Sequence, residues 1–272
     1  MTLYLDAFAN AEDPLLPIMD AGGIDETTIF ATGPGLWIEA RRPLYVPREG
    51  PWTGLVDRQA GLELREFTPA GKVMPARVTV GDLEVLAFET YTTGALKLVD
   101  PIDAGEPDLL HPTCNSFAWL GRYGAGQGGA IFGNRIFADQ FGIIVDPLSG
   151  RVNAFARFGV ADSTTADGYA DDEWHVHIVS MDALDTLTGR TVHRVDGVVA
   201  NAGFTTGARP IATTEGARKA IIGATSADAS AYPLTGQLAA AIVFPGIALH
   251  RETTIMGAVE RHLTAIMGAL DE

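Results

Sequence analysis

Short runs in which apolar and polar residues alternate, separated by Gly, Pro, Asn or Asp, follow one another along most of the chain after Trp52. LELREF, ARVTV, LEVLAFE, ALKLVD, SFAWLGRY, AIFG, FGIIVD, VNAFARFG, EWHVHIVSM, TVHRVDGVVA, KAIIGAT and GQLAAAIVF each have the length and β-branched or aromatic content of a strand. No helical period separates them, so a doubly wound parallel sheet is excluded and an antiparallel sandwich or barrel remains. In EWHVHIVSM the period of two places Trp174, Val176, Ile178 and Ser180 on one face and His175, His177, Val179 and Met181 on the other. Both faces are largely apolar, which predicts a central strand. Asp196 and Gly197 in VDG supply the side-chain hydrogen bond and positive φ of a tight reversal.

One segment has a helical period. In RETTIMGAVERHLTAIMGAL, Ile255, Met256, Val259, Leu263, Ile266, Met267 and Leu270 recur at steps of three and four, predicting a helix over 252–270 that docks by one face. Residues 1–51 stand apart. Prolines recur there, and only TIFA and LWIEA read as strands, so this part is expected to be an irregular arm or small subdomain ahead of a 52–272 body. Its apolar pieces LLPIM, TIF and LWI need cover, from a neighbouring subunit or from the body itself, so a homo-oligomer is expected.

Charge narrows the partners. The chain carries 34 acidic against 19 basic side chains, and its net charge of −15 opposes both nucleic acid and anionic lipid surfaces. No run is long and apolar enough for membrane insertion, and the acidic N-terminal residues do not resemble a signal peptide, so synthesis in the cytoplasm without export by that route is expected. Cys114 is the one cysteine, which excludes an intrachain disulfide.

The order of elements in the last hundred residues says more. A Trp174-His175 strand start is followed by a hairpin, VDG at 195–197, IIGA at 221–224, a small-residue loop, LTGQLAAAIVF at 234–244 and the terminal helix. LEVLAFETYTTGALKLVDP at 83–101 precedes them. This series resembles the concanavalin A-like lectin/glucanase superfamily, in the laminin-G-like branch found in phage tail, spike and capsid-surface proteins, over about residues 52–265. The resemblance implies an all-β antiparallel jelly-roll sandwich. It also implies glycan or cell-surface recognition on a virion or phage-like particle, with neighbouring virion proteins as partners.

Glycosidases of that superfamily carry paired acids as E-x-D-x-E or E-x-D-x-x-E. Here the nearest match is Glu106-Pro107-Asp108, which lacks the second glutamate and has a proline that obstructs a central strand. No catalytic residue is therefore assigned, and a non-enzymatic adhesion protein is expected. The alternatives are a divergent glycoside hydrolase or lyase, and a purely structural decoration that holds neighbouring subunits. Loop residues offering stacking or hydrogen bonds to a sugar are Tyr123, Asn134, Tyr169, Asn201 and Tyr232; each is otherwise an ordinary loop residue.

Two metal readings remain. Asp167, Asp171, Asp172 and Glu173, near Gly168, have the oxygen ligands that calcium takes, or are solvated loop charges. His175 and His177 share a strand face, and His193 on the next strand would complete a zinc site if the register brings it round; otherwise all three are ordinary strand residues.

Overall fold

A computed structural model of the chain describes residues 17–40, 45–46, 54–56, 58, 63–67, 75–81, 83–89, 95–99, 109–111, 113–136, 139–156, 160–165, 168–182, 191–203, 221–224 and 233–271. Helix α1 (Pro17–Thr32) comes first, and helix α2 (Thr253–Leu270) comes last. Between them lie two antiparallel sheets, the first of eight strands and the second of nine.

The first sheet runs β15 (Val198–Gly203), β14 (Thr191–Val195), β13 (Trp174–Asp182), β8 (Cys114–Arg122), β17 (Gly236–Pro245), β6 (Leu83–Phe88) and β5 (Ala76–Val80). β1 (Leu36–Glu39) pairs with the second half of β17, on the edge whose first half pairs with β6. The second sheet runs β12 (Val160–Thr164), β11 (Val152–Ala156), β10 (Asp139–Val145), β9 (Gly129–Ile136), β16 (Ile221–Ile222), β7 (Ala95–Val99), β4 (Glu63–Phe67), β3 (Gly54–Val56) and β2 (Tyr45–Val46).

Strand alternation divides the buried side chains into two cores. Phe117, Trp119, Val179, Met181, Ala241 and Val243 point between the sheets, against Phe132, Ile143 and Val152 of the second. Their neighbours Ala118, Leu120, Val176, Ile178 and Ile242 point outward, where Val259, Leu263 and Ile266 of α2 cover them. The molecule is thus a jelly-roll sandwich with a helical layer on one sheet, and β13 is central with both faces buried, as its two-sided apolar pattern requires. Asp196 and Gly197 have φ of 49° and 78°, the pair of positive values that a two-residue hairpin turn demands.

The N-terminal part differs from expectation. TIFA lies in α1 and is not a strand: Ile29 is buried in the helical layer and the Phe30 ring packs tilted against Trp37. Its β-branched pair reads locally as a strand, and packing against α2 overrides that preference. LWIE does form a strand, and its pairing with β17 ties this part of the expected arm into the body.

A buried ionic network fixes the junction. Oε1 of Glu39 accepts hydrogen bonds from Trp37 Nε1 at 2.9 Å, His262 Nε2 at 2.7 Å and Nη1 of Arg58. Arg58 also pairs with Glu26 of α1 and lies 4.3 Å above the Trp37 ring. At the opposite end of β13, Ser180 and Ser116 anchor the 3-10 turn Leu249–Arg251. Backbone N–H groups of Leu249 and His250 donate to Ser116 and Ser180 Oγ at 2.9 and 3.1 Å.

Candidate functional site

The chemistry-bearing residues gather where β8 and β6 end and β13 and β17 begin. Register places Ala87, Gln237, Arg122 and Trp174 side by side across β6, β17, β8 and β13, all on the face that carries the helical layer. Trp174 is buried, whereas the side chain of Arg122 is one-third exposed. Among the described residues, Phe88, Glu89, Arg122, Gln127, Asp172 and Gln237 line a pocket of about 260 Å³.

Two turns shape its mouth. Gly124 and Gln127 close one: the Gln127 N–H donates to Gly124 O at 2.9 Å, and the Gly124 N–H donates to Gln127 Oε1 at 2.8 Å. The other is the entry to β13, where the Asp172 N–H donates to Tyr123 O at 2.9 Å and Asp172 adopts φ 68°. That conformation, tolerated by Asp, brings its Oδ1 to 3.0 Å from Arg122 Nε. The hydrogen bond to Asp172 holds the Arg122 guanidinium above its ordinary range, with Glu173 and Asp271 adding negative potential. Gln237 Oε1 is buried without a hydrogen-bond partner among the described residues.

On the inner face of β13 stands a second arrangement. His175 Nδ1 lies 2.7 Å from Asp196 Oδ2, and Nε2 lies 3.1 Å from both oxygens of Asp171. Burial depresses the affinity of His175 for its proton, but the two carboxylates outweigh burial and raise it above its ordinary value. Burial likewise pushes Asp171 and Asp196 up, and is outweighed in turn. For Asp171 the Glu173 N–H and His175 prevail, for Asp196 His175 and the Val176 N–H, so both carboxyls lie below their usual range.

Deeper inside, His177 stacks on Trp119 with centroids 4.7 Å apart. His193 faces the same side, because the register sets it opposite Val179 and sets Val195 opposite His177. Neither ring has a hydrogen-bond partner among the described residues. Burial, reinforced by the charge of His175, lowers His177 to about 3; burial alone lowers His193 to about 4.

The expected site residues meet different fates. Tyr123 is not a loop-surface tyrosine. It is fully buried, because Gly121 and Gly236 leave room for its ring: a Cβ there would come within 2.4 Å of the Tyr123 hydroxyl and 2.6 Å of Cδ1 respectively. Asn134 and Asn201 lie within β9 and β15 and not in loops, since both strands run further than their apolar residues predict. Tyr169 does reach the rim, half-buried, with its ring edge-on to His175 and His177. Tyr232, Asp167, Glu106 and Asp108 lie outside the described residues.

Neither metal set assembles in the described part. Asp171 and Asp172 are committed to His175 and Arg122 on opposite faces, and His175 is held between two aspartates. Among the described residues, three ligand atoms lie within 4.8 Å of one another at Glu26, Glu39 and His262, and Arg58 already supplies the cation there. The residues that sequence reasoning missed are Arg122 and Gln237. Their adjacency depends on a register linking strands more than a hundred residues apart, which no local pattern carries.

No family model matches the sequence, and no curated protein matches it. Among solved structures, the chain is similar to domain 4 of AbnA, a GH43 extracellular arabinanase from Geobacillus stearothermophilus, in complex with arabinotriose. The TM-score is 0.51 at 10% identity, over 75% of this chain and 91% of that one. It is similar to botulinum neurotoxin type C, whose cell entry depends on two ganglioside molecules, with TM-score 0.52 at 10% identity over 86% of this chain and 53% of that one. It is also similar to the receptor-binding domain of botulinum neurotoxin D, with TM-score 0.51 at 8% identity over 84% and 53%. The chain spans about half the length of the two toxin structures. These likenesses establish the fold, a jelly-roll β-sandwich.

Proposed function

We propose that the chain is a non-enzymatic recognition module that holds a saccharide in the rim pocket, and that it serves as an adhesion or structural component of a phage-like particle. The observation that carries the reading is the pocket itself. A cavity of about 260 Å³ at the end of a jelly-roll sandwich is lined by a guanidinium, carboxylates and side-chain amides, the groups that hydrogen-bond sugar hydroxyls. The structure of this fold solved with arabinotriose supports it.

The non-enzymatic reading is supported by the sequence, in which the nearest match to the paired-acid pattern, Glu106-Pro107-Asp108, lacks the second glutamate. The particle setting rests on the ordered sequence motifs; of the apolar N-terminal pieces that motivated a homo-oligomer, Ile29, Leu36, Trp37 and Ile38 are buried within the chain itself, so the oligomer rests on the remainder.

A glycan array probed with the full chain, followed by Arg122→Ala and Gln237→Ala, tests the pocket. Loss of signal of tenfold or more is expected in either variant, and undiminished binding overturns the assignment. Release of reducing ends from a polysaccharide would overturn the non-enzymatic reading, and a monomer by native mass spectrometry would remove the oligomer.

A further inference from the structure

We infer that the rim pocket selects saccharides without acidic groups and excludes sialylated, uronic and sulfated ones. This rests on the pocket being the saccharide site. The argument is one of charge at close range. Arg122 is the cation among the described lining residues, and its Nε is already engaged by Asp172 at 3.0 Å. Asp172 and Glu89 both line the pocket. Glu173 and Asp271 lie close enough to act electrostatically on the same guanidinium.

Among the described residues, Arg122 and the acids Asp172 and Glu89 line the pocket, and Glu173 and Asp271 act on the guanidinium from outside it, within a chain whose net charge is −15. A ligand carboxylate or sulfate entering here meets a guanidinium whose Nε is already taken by Asp172, and it meets the neighbouring acids as well. Hydroxyl groups meet no such opposition. They can donate to Asp172, which lines the pocket.

The pocket therefore differs from a site built to hold an anionic sugar, in which an arginine is left free to take the carboxylate in a two-pronged grip. Here Nε of the guanidinium is already paired with Asp172 before the ligand arrives. Its role becomes that of an orienting group that keeps Asp172 in place at φ 68°.

The test uses the full chain on an array of matched pairs, each a neutral oligosaccharide and the same core carrying sialic acid, a uronic acid or sulfate, read at low and high salt. Neutral members should bind at least about tenfold better, and the gap should narrow at high salt because screening weakens the repulsion. Asp172→Asn, which tolerates the positive φ and frees Arg122, should shift the ratio toward the acidic members; Arg122→Gln should shift it further toward the neutral ones. Preferential binding of acidic members by the unmodified chain overturns the inference and leaves the saccharide site standing. Binding of no saccharide at all overturns both. A preference that Asp172→Asn and Arg122→Gln leave unmoved overturns the placement of the selectivity in this pocket.

Discussion

Asp171 and Asp172 are consecutive in the chain, yet their carboxylates serve opposite faces of the sheet that β13 enters: Asp171 meets His175 on the inner face and Asp172 meets Arg122 on the outer one. The positive φ of Asp172 makes the divergence possible. A short rim segment thereby joins the pocket to the histidine clamp.

The clamp has a pH window that follows from its shifts. His175 is raised above 6.5, so its contribution is complete below that value and is lost as pH rises through the folded-state pKa. Asp171 and Asp196 are lowered below 3.8, so theirs is present above that value and is lost as pH falls through their folded-state pKa values. The clamp is therefore complete between about pH 4 and 6.5. His175→Gln should remove this component, seen as a smaller fall in the urea midpoint between pH 6 and pH 9 than in the unmodified chain. An unchanged midpoint profile would show that the clamp does not contribute.

His177 and His193 act with the opposite sign. Both are lowered, to about 3 and about 4, so the unfolded chain binds protons that the folded one refuses as pH falls below 6.5. Each destabilises the fold by up to about 1.4 kcal/mol per pH unit across that range. His177→Phe, which keeps a flat ring against Trp119, should reduce the loss of stability between pH 6.5 and pH 4. Guanidinium titrations at stepped pH provide the measurement.

Gly121 and Gly236 should resist any side chain. Alanine at either drives a methyl into the buried Tyr123 ring, and Gly236 also holds φ 126°. The expected cost is about 1–3 kcal/mol for Gly121→Ala, and more for Gly236→Ala because the backbone is strained as well. A Gly121→Ala,Tyr123→Leu double variant should recover part of the loss, measured by equilibrium denaturation.

Removing Glu39 leaves Arg58 and His262 buried without their main acceptor. Glu39→Ala should cost about 3–5 kcal/mol. Hydrogen exchange should quicken at β1 and along α2 together, because one carboxylate oxygen serves both. Exchange that quickened in β1 alone would show that the two are not coupled through Glu39.

How much of this was legible depended on whether a period carried it. β13, the Asp196–Gly197 turn and α2 each announce themselves through alternation, turn chemistry or a three-to-four spacing, and the structure has all three. Helix α1 does not: its apolar residues are not gathered on one face, since Ile29 is buried while Ile24 is exposed, so TIFA reads as a strand. Tyr123 looked like a loop residue because glycines surround it, and the same glycines are what open the cavity that swallows its ring. The pocket was silent because Arg122 and Gln237 meet only once β8 and β17 pair.

The linkage of Glu39 to His262 has a consequence for the nascent chain. Partners separated by 223 positions leave the ribosome roughly 10–45 s apart at about 5–20 residues per second. Until α2 emerges, Glu39 lacks His262 and the outer face of the eight-stranded sheet lacks its cover. The part of the fold that Glu39 joins therefore cannot be completed before α2 has left the ribosome.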